Sequence, residues 1–366
     1  MRRVLRPRHV ICWLLLEYLC GWLVYVFSLL LLEITFLLAY TCQVVSVSRA
    51  RAESVENEGK IRAVDLFAGC GGMSLGFEKA GVDVLAAFEF WKPAIDVYEA
   101  NFDHPVLEQD LSEVDEAIEK IKPYAPDLIV GGPPCQDFST AGHQDETRGR
   151  AILSVCYANI VSAIRPRYFV MENVATIRNT KSFLKACSVF EEAGYGLTKK
   201  ILDASYCGVP QSRKRMFVVG GLGEEDGFLD EELSRNLASK PMTIRDYLGD
   251  SLGIEYYFRI PTNYNRRAIY SIDEPSMTIR GVDRPIPKGY KGHPNDPVPV
   301  SEVRILTPKE RSYIQTFPED FEFFGSKSDM NVMIGNAVPV NLAKFVGEAL
   351  LRYIDHAEGG VGDESR

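Results

Sequence analysis

Cys135 stands in Gly132-Pro133-Pro134-Cys135-Gln136, where two prolines stiffen the chain just before the thiol. A free cysteine is most often a small buried hydrophobe, and Cys156 and Cys187 read that way. Cys135 instead follows a short apolar strand, Leu128–Val130, which puts it at the carboxyl edge of a sheet. There a thiolate can serve as a nucleophile. Glu172-Asn173 follows another strand, Tyr168–Met171, at the same edge, and Gln211-Ser212-Arg213-Lys214-Arg215 enters a third, Arg215–Val219. Taken singly, Glu172 reads as a cap or a surface carboxylate, and the arginines as a solvated turn. Together they form a set suited to nucleophilic attack, proton transfer and stabilisation of negative charge.

A second set lies upstream. Asp65-Leu66-Phe67-Ala68-Gly69-Cys70-Gly71-Gly72 joins a strand, Ile61–Phe67, to a helix, Met73–Ala80. The glycines let a ligand approach the backbone closely. Glu89 follows the next strand, Val82–Phe88, where a nucleoside ribose needs an acceptor, and Asp110 follows a third. The spacing suits an adenosine-bearing cofactor. A nicotinamide, a flavin or plain tight packing also suits the glycine turn taken alone.

These residues need a scaffold. From Lys60 the pattern is strand then helix, repeated, with further helices over Pro93–Phe102, Ile152–Ile164 and Ser182–Ala193. That alternation predicts an α/β fold with a largely parallel, doubly wound sheet. After Gly223 the rhythm breaks. Residues 222–258 carry nine acidic and three basic residues, whereas 259–304 carry eight basic and five acidic. We read 222–302 as a separate small domain of loops and short strands whose basic half is a candidate phosphate-contacting surface. Regular structure returns at Thr307-Pro308-Lys309-Glu310, a capped helix start, and Asn341–Ile354 reads as the last helix.

The chain has 366 residues, 46% of them apolar and 25% charged, with a net charge of −9. It is long enough for about two globular domains, and the composition excludes disordered, collagen-like and uniformly basic classes. None of the eight cysteines is paired at C-x-x-C spacing, so no metal site is expected.

Residues 1–59 form an apolar extension. Arg2, Arg3, Arg6 and Arg8 precede a run from Val10 to Val47 that carries only Glu17 and Glu33. The run is long enough for one tilted membrane span or two short ones. The other reading is an extension ahead of a later start, with the soluble part beginning near Lys60. The expected location is cytoplasmic, with residues 10–47 as a tether to the inner face of the membrane if the anchor is real.

Phe67–Gly72, Pro133-Pro134-Cys135-Gln136, Glu172-Asn173-Val174, Gln211-x-Arg213-x-Arg215 and Gly335-Asn336-Ala337-Val338 occur in the order seen in DNA (cytosine-5) methyltransferases, and the chain resembles that family over about 61–356. The resemblance implies a Rossmann-like S-adenosylmethionine-dependent methyltransferase sheet. It implies catalytic parts at 60–221 and 303–356, an inserted target-recognition domain at 222–302, and a disordered tail at 357–366.

It also implies roles. Cys135 would add to cytosine C6 and Glu172 would protonate N3. Arg215 would hold O2, with Arg213 and Gln211 supporting the pocket. For S-adenosyl-L-methionine it implies Phe67, Gly69, Gly71, Glu89, Phe90, Asp110, Asn336 and Val338. Many relatives carry Trp where this chain has Phe90, with Trp91 next, and many carry Phe where it has Asp137. The target base would be flipped out of double-stranded DNA and covered by the Gln136–Arg150 loop. Readers of the major groove would lie among Arg266, Arg267, Ser276, Thr278, Arg280 and Arg284. DNA methylation by a monomer follows, in a restriction-modification system beside a cognate endonuclease or as a solitary enzyme. The alternatives are a tRNA-methylating relative and an inactive nucleic-acid-binding relative, the latter expected to lack the Cys or the Glu.

Overall fold

The computed structural model describes residues 60–134, 152–261 and 266–359. The apolar segment 1–59, Cys135 with the proposed closing loop, and the tail from 360 lie outside the described residues.

Short apolar runs of β-branched and aromatic residues build the central sheet. Its strands are β1 (Arg62–Leu66), β2 (Asp83–Glu89), β3 (Val106–Glu108), β4 (Leu128–Gly131), β5 (Tyr168–Val174), β6 (Tyr195–Asp203) and β8 (Lys214–Leu222). The order is β3-β2-β1-β4-β5-β8-β6. Strands β1 to β5 pair in parallel, and β8 runs antiparallel to both of its neighbours.

Strand alternation sends side chains to two cores. Ala63, Leu128, Val130, Val170 and Phe217 face α1 (Gly72–Ala80) and the last helix, α10 (Val340–Gly359). Val64, Leu66, Ile129, Phe169 and Met171 face α3 (Val114–Ile121), α4 (Leu153–Ile164) and α5 (Lys181–Glu192). A remaining helix of this half, α2 (Lys92–Asn101), lies between β2 and β3 in the chain. Gly76 lets α1 and α10 touch, since a Cβ there would sit 2.4 Å from that of Ala343. The two ends of the described chain are thereby packed together beside the glycine turn. Helix α10 continues to Gly359, so the expected tail from 357 begins later than the sequence reading put it. The buried face through Leu350 and Ile354 anchors the last turns.

Beyond the central sheet lie β7 (Gln211–Ser212), α6 (Asp230–Arg235), α7 (Ile244–Leu248), β9 (Tyr256–Phe258), β10 (Ile269–Ser271), β11 (Ser276–Met277) and β12 (Arg304–Ile305). Strands β10-β9-β12 form a small sheet, and β11 pairs with β7. Helix α8 (Pro308–Ile314) starts in the expected capping box: Thr307 Oγ1 accepts from the Glu310 N–H, and Glu310 accepts from the Thr307 N–H. It is followed by α9 (Lys327–Asn336).

One boundary differs from the sequence reading in a way that matters. Strand β5 runs on through Glu172 and Asn173 to Val174, because pairing with β8 continues as Glu172↔Phe217, Asn173↔Met216 and Val174↔Arg215. The acid is therefore held in the sheet rather than on a loop after it.

Candidate active site

The glycine turn is built from backbone that side chains resist. Phe67 has φ of 59°, Gly69 57° and Gly71 91°. At Gly71 a Cβ would lie 2.3 Å from the Phe102 ring, so only glycine fits. A Cβ at Gly69 would meet nothing within 4 Å, which leaves open space above the turn. Glu89, at the end of β2, ties the turn down: its Oε2 accepts from Gly69 N–H at 2.7 Å. Its Oε1 accepts from Phe90 and Trp91 N–H, each at 2.8 Å. The two aromatic neighbours separate clearly. Trp91 packs against the apolar cluster around Cys70 and Val97, while Phe90 is 64% exposed. Asp110 is exposed at the same edge, and its Oδ1 accepts from the N–H and hydroxyl of Ser112.

Beneath the turn a fully buried carboxyl anchors a chain of hydrogen bonds. Ser74 donates to Asp65 Oδ2 at 2.6 Å, and Tyr98 donates to Ser74 at 2.7 Å. His104 Nε2 lies 2.6 Å from the Tyr98 hydroxyl. Asp65 Oδ1 has no partner. Burial, opposed only in part by the Ser74 bonds, pushes Asp65 up to about 7.

The acid–arginine pair lies two strands away. Arg215 Nε bonds Glu172 Oε1 at 2.8 Å, with both side chains largely buried. Gly132 lies against the carboxyl, where a Cβ would stand in ordinary contact, 3.4 Å from Glu172 Oε2. Burial raises the Glu172 pKa and outweighs the opposing pull of Arg215 and then Arg213. Asn173 donates from Nδ2 to Pro133 O at 3.0 Å, joining the strand of the acid to the loop leading to Cys135.

Arg213 and Gln211 stand behind this pocket rather than in it. Arg213 is 2% exposed; Nη1 donates to Ile279 O at 2.8 Å, and Nη2 to Gly335 O and Ala337 O at 3.0 and 3.2 Å. Gln211 Oε1 accepts from Ile279 N–H at 2.8 Å, and its Nε2 donates to Gln315 at 2.6 Å. Both side chains therefore brace the joint of three distant segments. The Gly335–Val338 motif enters here. A Cβ at Gly335 would lie 2.1 Å from Gly281 N, and Val338 O would lie 2.4 Å from a Cβ at Gly72. Asn336 is exposed and Val338 buried.

Sequence reasoning missed Gln315 and Thr316. Gln315 donates to Ile334 O and Ala337 O, and Thr316, at φ of 63°, accepts from Asn341 N–H at 2.9 Å. The available signal was two polar residues between Ile314 and Phe317, both apolar and buried.

The expected DNA readers divide by occupancy. Arg266 and Arg284 are exposed. Arg267 pairs with Glu274 and lies over the Tyr270 ring. Ser276 is buried and donates to Met277 O; Thr278 donates to Ser212 O and Arg280 to Ile260 O. No cluster of metal-ligating side chains occurs among the described residues, and no helix among them is long and apolar enough to cross a membrane.

Residues 61–352 match the family model of C-5 cytosine-specific DNA methylases. The type II methyltransferase M.HindV of Haemophilus influenzae is 59% identical over 295 residues, covering 80% of this chain and 97% of that protein. M.HgiDI of Herpetosiphon aurantiacus, also a type II methyltransferase, is 53% identical, covering 81% and 96%. Among solved structures, the S. pombe Dnmt2 methyltransferase superposes with a TM-score of 0.60 at 18% identity, over 81% of this chain and 99% of that one.

Proposed function

This chain belongs to the C-5 cytosine-specific DNA methylase family, and from that premise we propose how its own residues methylate cytosine C5 in double-stranded DNA. The observation that carries the reading is the buried Glu172–Arg215 pair beside Gly132, two strands from an open glycine turn.

Cytosine C5 is a poor nucleophile. Cys135 attacks C6 as a thiolate, forming an S–C6 bond, while Glu172 gives its proton to N3, so that the ring becomes an enamine with electron density at C5. Burial, which raises the Glu172 pKa, favours the protonated form that this step uses. Arg215 holds O2 and stabilises charge there. S-adenosylmethionine, when bound, supplies the electrophilic methyl group. A base, water included, then removes the C5 proton; the S–C6 bond breaks and Glu172 recovers its proton from N3.

The residues present fit that cofactor. The exposed Phe90 ring offers a face to adenine, and Asp110 an acceptor for its amino group. Glu89 Oε2, accepting one backbone bond, keeps a lone pair for a ribose hydroxyl. Phe67, Gly69 and Gly71 form the floor, and Asn336 and Val338 close the site from the far end of the chain. The region 222–302 serves as the recognition domain between catalytic parts 60–221 and 303–356, with Arg266 and Arg284 among its exposed guanidiniums. The relatives' type II names support action in a restriction-modification system beside a cognate endonuclease.

Incubation with methyl-labelled cofactor and either duplex DNA or tRNA tests the reading. Label is expected in DNA cytosine; label confined to tRNA overturns it. Protection of host DNA from a cognate endonuclease tests the restriction-modification context.

A further inference from the structure

Three arginines meet in a surface pocket that the reaction does not use. Arg259 follows β9, Arg280 follows β11, and Arg311 comes from α8; Val282 and Asp283 complete the rim. Each guanidinium is fixed by neutral acceptors. Arg259 Nη2 donates to Thr278 O at 2.8 Å, and Arg280 Nη2 donates to Ile260 O at 3.0 Å, so each caps the backbone beside the other's strand. Arg311, almost wholly buried, donates to Asn331 Oδ1 and to Arg280 O. Among the described residues none of the three is paired with a carboxylate; Asp283 is the acid that faces Arg280 and Arg311. Burial and the two neighbouring arginines hold Arg259 down at about 10.

Three cations, one buried and two half-buried, crowd beside one acid, an arrangement that favours an anionic ligand. The pocket also opens to solvent: Val282 on its rim is 63% exposed, and nearby Arg284 is exposed. It is joined to the catalytic brace. Arg213 holds Ile279 O, next to Arg280, and Gly335 packs against the Arg280 carbonyl carbon. A concave pocket suits a group that protrudes from a duplex. A base edge is recessed in its groove, whereas a backbone phosphate projects.

We propose that Arg259 and Arg280, with Arg311 holding the Arg280 backbone, form a seat for one phosphodiester of the DNA backbone. The seat fixes the register of the duplex against the catalytic domain without reading sequence. It rests on the reading that duplex DNA is the substrate, and it assigns Arg280 to positioning rather than to base recognition.

The test measures binding of a random-sequence duplex by fluorescence anisotropy from low to high salt, for the full chain and for Arg259→Ala. Weakening this one phosphate contact reduces the slope of log K against log salt by up to about 0.9 and weakens binding by up to about eightfold at 0.1 M salt. Arg259→Lys keeps the charge and should keep most of the slope. Cofactor affinity by calorimetry should match wild type in both variants, which separates a lost contact from a lost fold. A duplex with a single neutral methylphosphonate, moved along the strand, should weaken wild-type binding at one position and weaken Arg259→Ala less there, since only Arg280 remains to lose.

An unchanged slope in Arg259→Ala overturns the proposal. So does a loss confined to one DNA sequence, which marks a base contact, and so does weakened binding of inorganic phosphate with duplex binding intact, which marks a free-anion site. Wild-type protein that methylates DNA while Arg259→Ala behaves normally sinks only this inference. Wild-type protein that neither binds nor methylates duplex DNA sinks the underlying reading as well.

Discussion

Asn173 donates a hydrogen bond from its side-chain amide to the carbonyl of Pro133, 3.0 Å away and forty residues earlier in the chain. The same strand carries Glu172, so one short element fixes both the proposed proton donor and the segment that leads to Cys135. Replacing Asn173 by Ala leaves a buried carbonyl unpaired, at a cost of about 1–3 kcal/mol. It also frees that segment. Turnover should fall by about 10- to 100-fold, since small misplacements of reacting groups are costly, while cofactor binding measured by calorimetry stays near wild type. Equal losses in both would show that Asn173 only supports the fold.

Glu172 should set the falling limb of the pH profile. Its pKa is raised by burial, and in the proposed mechanism its protonated form serves N3. In that mechanism turnover therefore declines as pH rises and Glu172 loses its proton. Glu172→Gln keeps the volume and loses the transferable proton. Its rate should fall by about 10²- to 10⁴-fold, and the falling limb should disappear. A variant that keeps the wild-type limb would assign it to another group.

Asp65 gives a stability prediction whose sign is fixed. Its folded pKa of about 7 lies above the ordinary value of 3.8, so the folded protein holds a proton that the unfolded chain releases. Relative stability from this group is fully present below about pH 4 and is lost as pH rises towards 7, at about 1.4 kcal/mol per pH unit. Asp65→Asn has no such proton. The melting temperature of wild type should drop more between about pH 5 and pH 8 than that of the variant. Other groups around it, Glu89, Tyr98, Tyr157 and His104 among them, are common to both proteins and largely cancel in the difference. Parallel curves would mean that Asp65 is ionised throughout.

The sheet and the residues at its carboxyl edge were legible because apolar runs ending in Gly, Pro or acidic residues are a local signal. What was not legible has local causes too. Strand β6 carries Lys199 and Lys200 in its middle, which interrupts the apolar run; it lies at the edge of the sheet, where Lys199 is exposed. Helix α9 opens on the polar Lys327, Ser328 and Asp329, then mixes polar and apolar residues at no clear period. It ends in Gly335-Asn336, so its end was visible as a motif and its body was not. The choice between Phe90 and Trp91 depends on which ring the core absorbs, a property of packing that spacing alone does not encode.

Arg213 and Arg215 should separate in a paired experiment, although they sit two residues apart. Arg213 spreads two nitrogens over three carbonyls, those of Ile279, Gly335 and Ala337, and lies beyond the reach of solvent. A lysine offers one ammonium and cannot span them. Arg213→Lys should lose about 1–3 kcal/mol for each buried carbonyl left unpaired, with lower affinity for both cofactor and DNA as the braced segments loosen. Arg215 contacts Glu172 through Nε and Lys214 O through Nη1 at the pocket itself. Arg215→Lys should keep the melting temperature within a few degrees yet cut turnover at saturating substrate, because it removes stabilisation of charge on the ring. Thermal melts and saturation kinetics on the two variants check both expectations. An Arg213→Lys protein that melts like wild type and is slow only in turnover would move Arg213 from the brace into the reacting site.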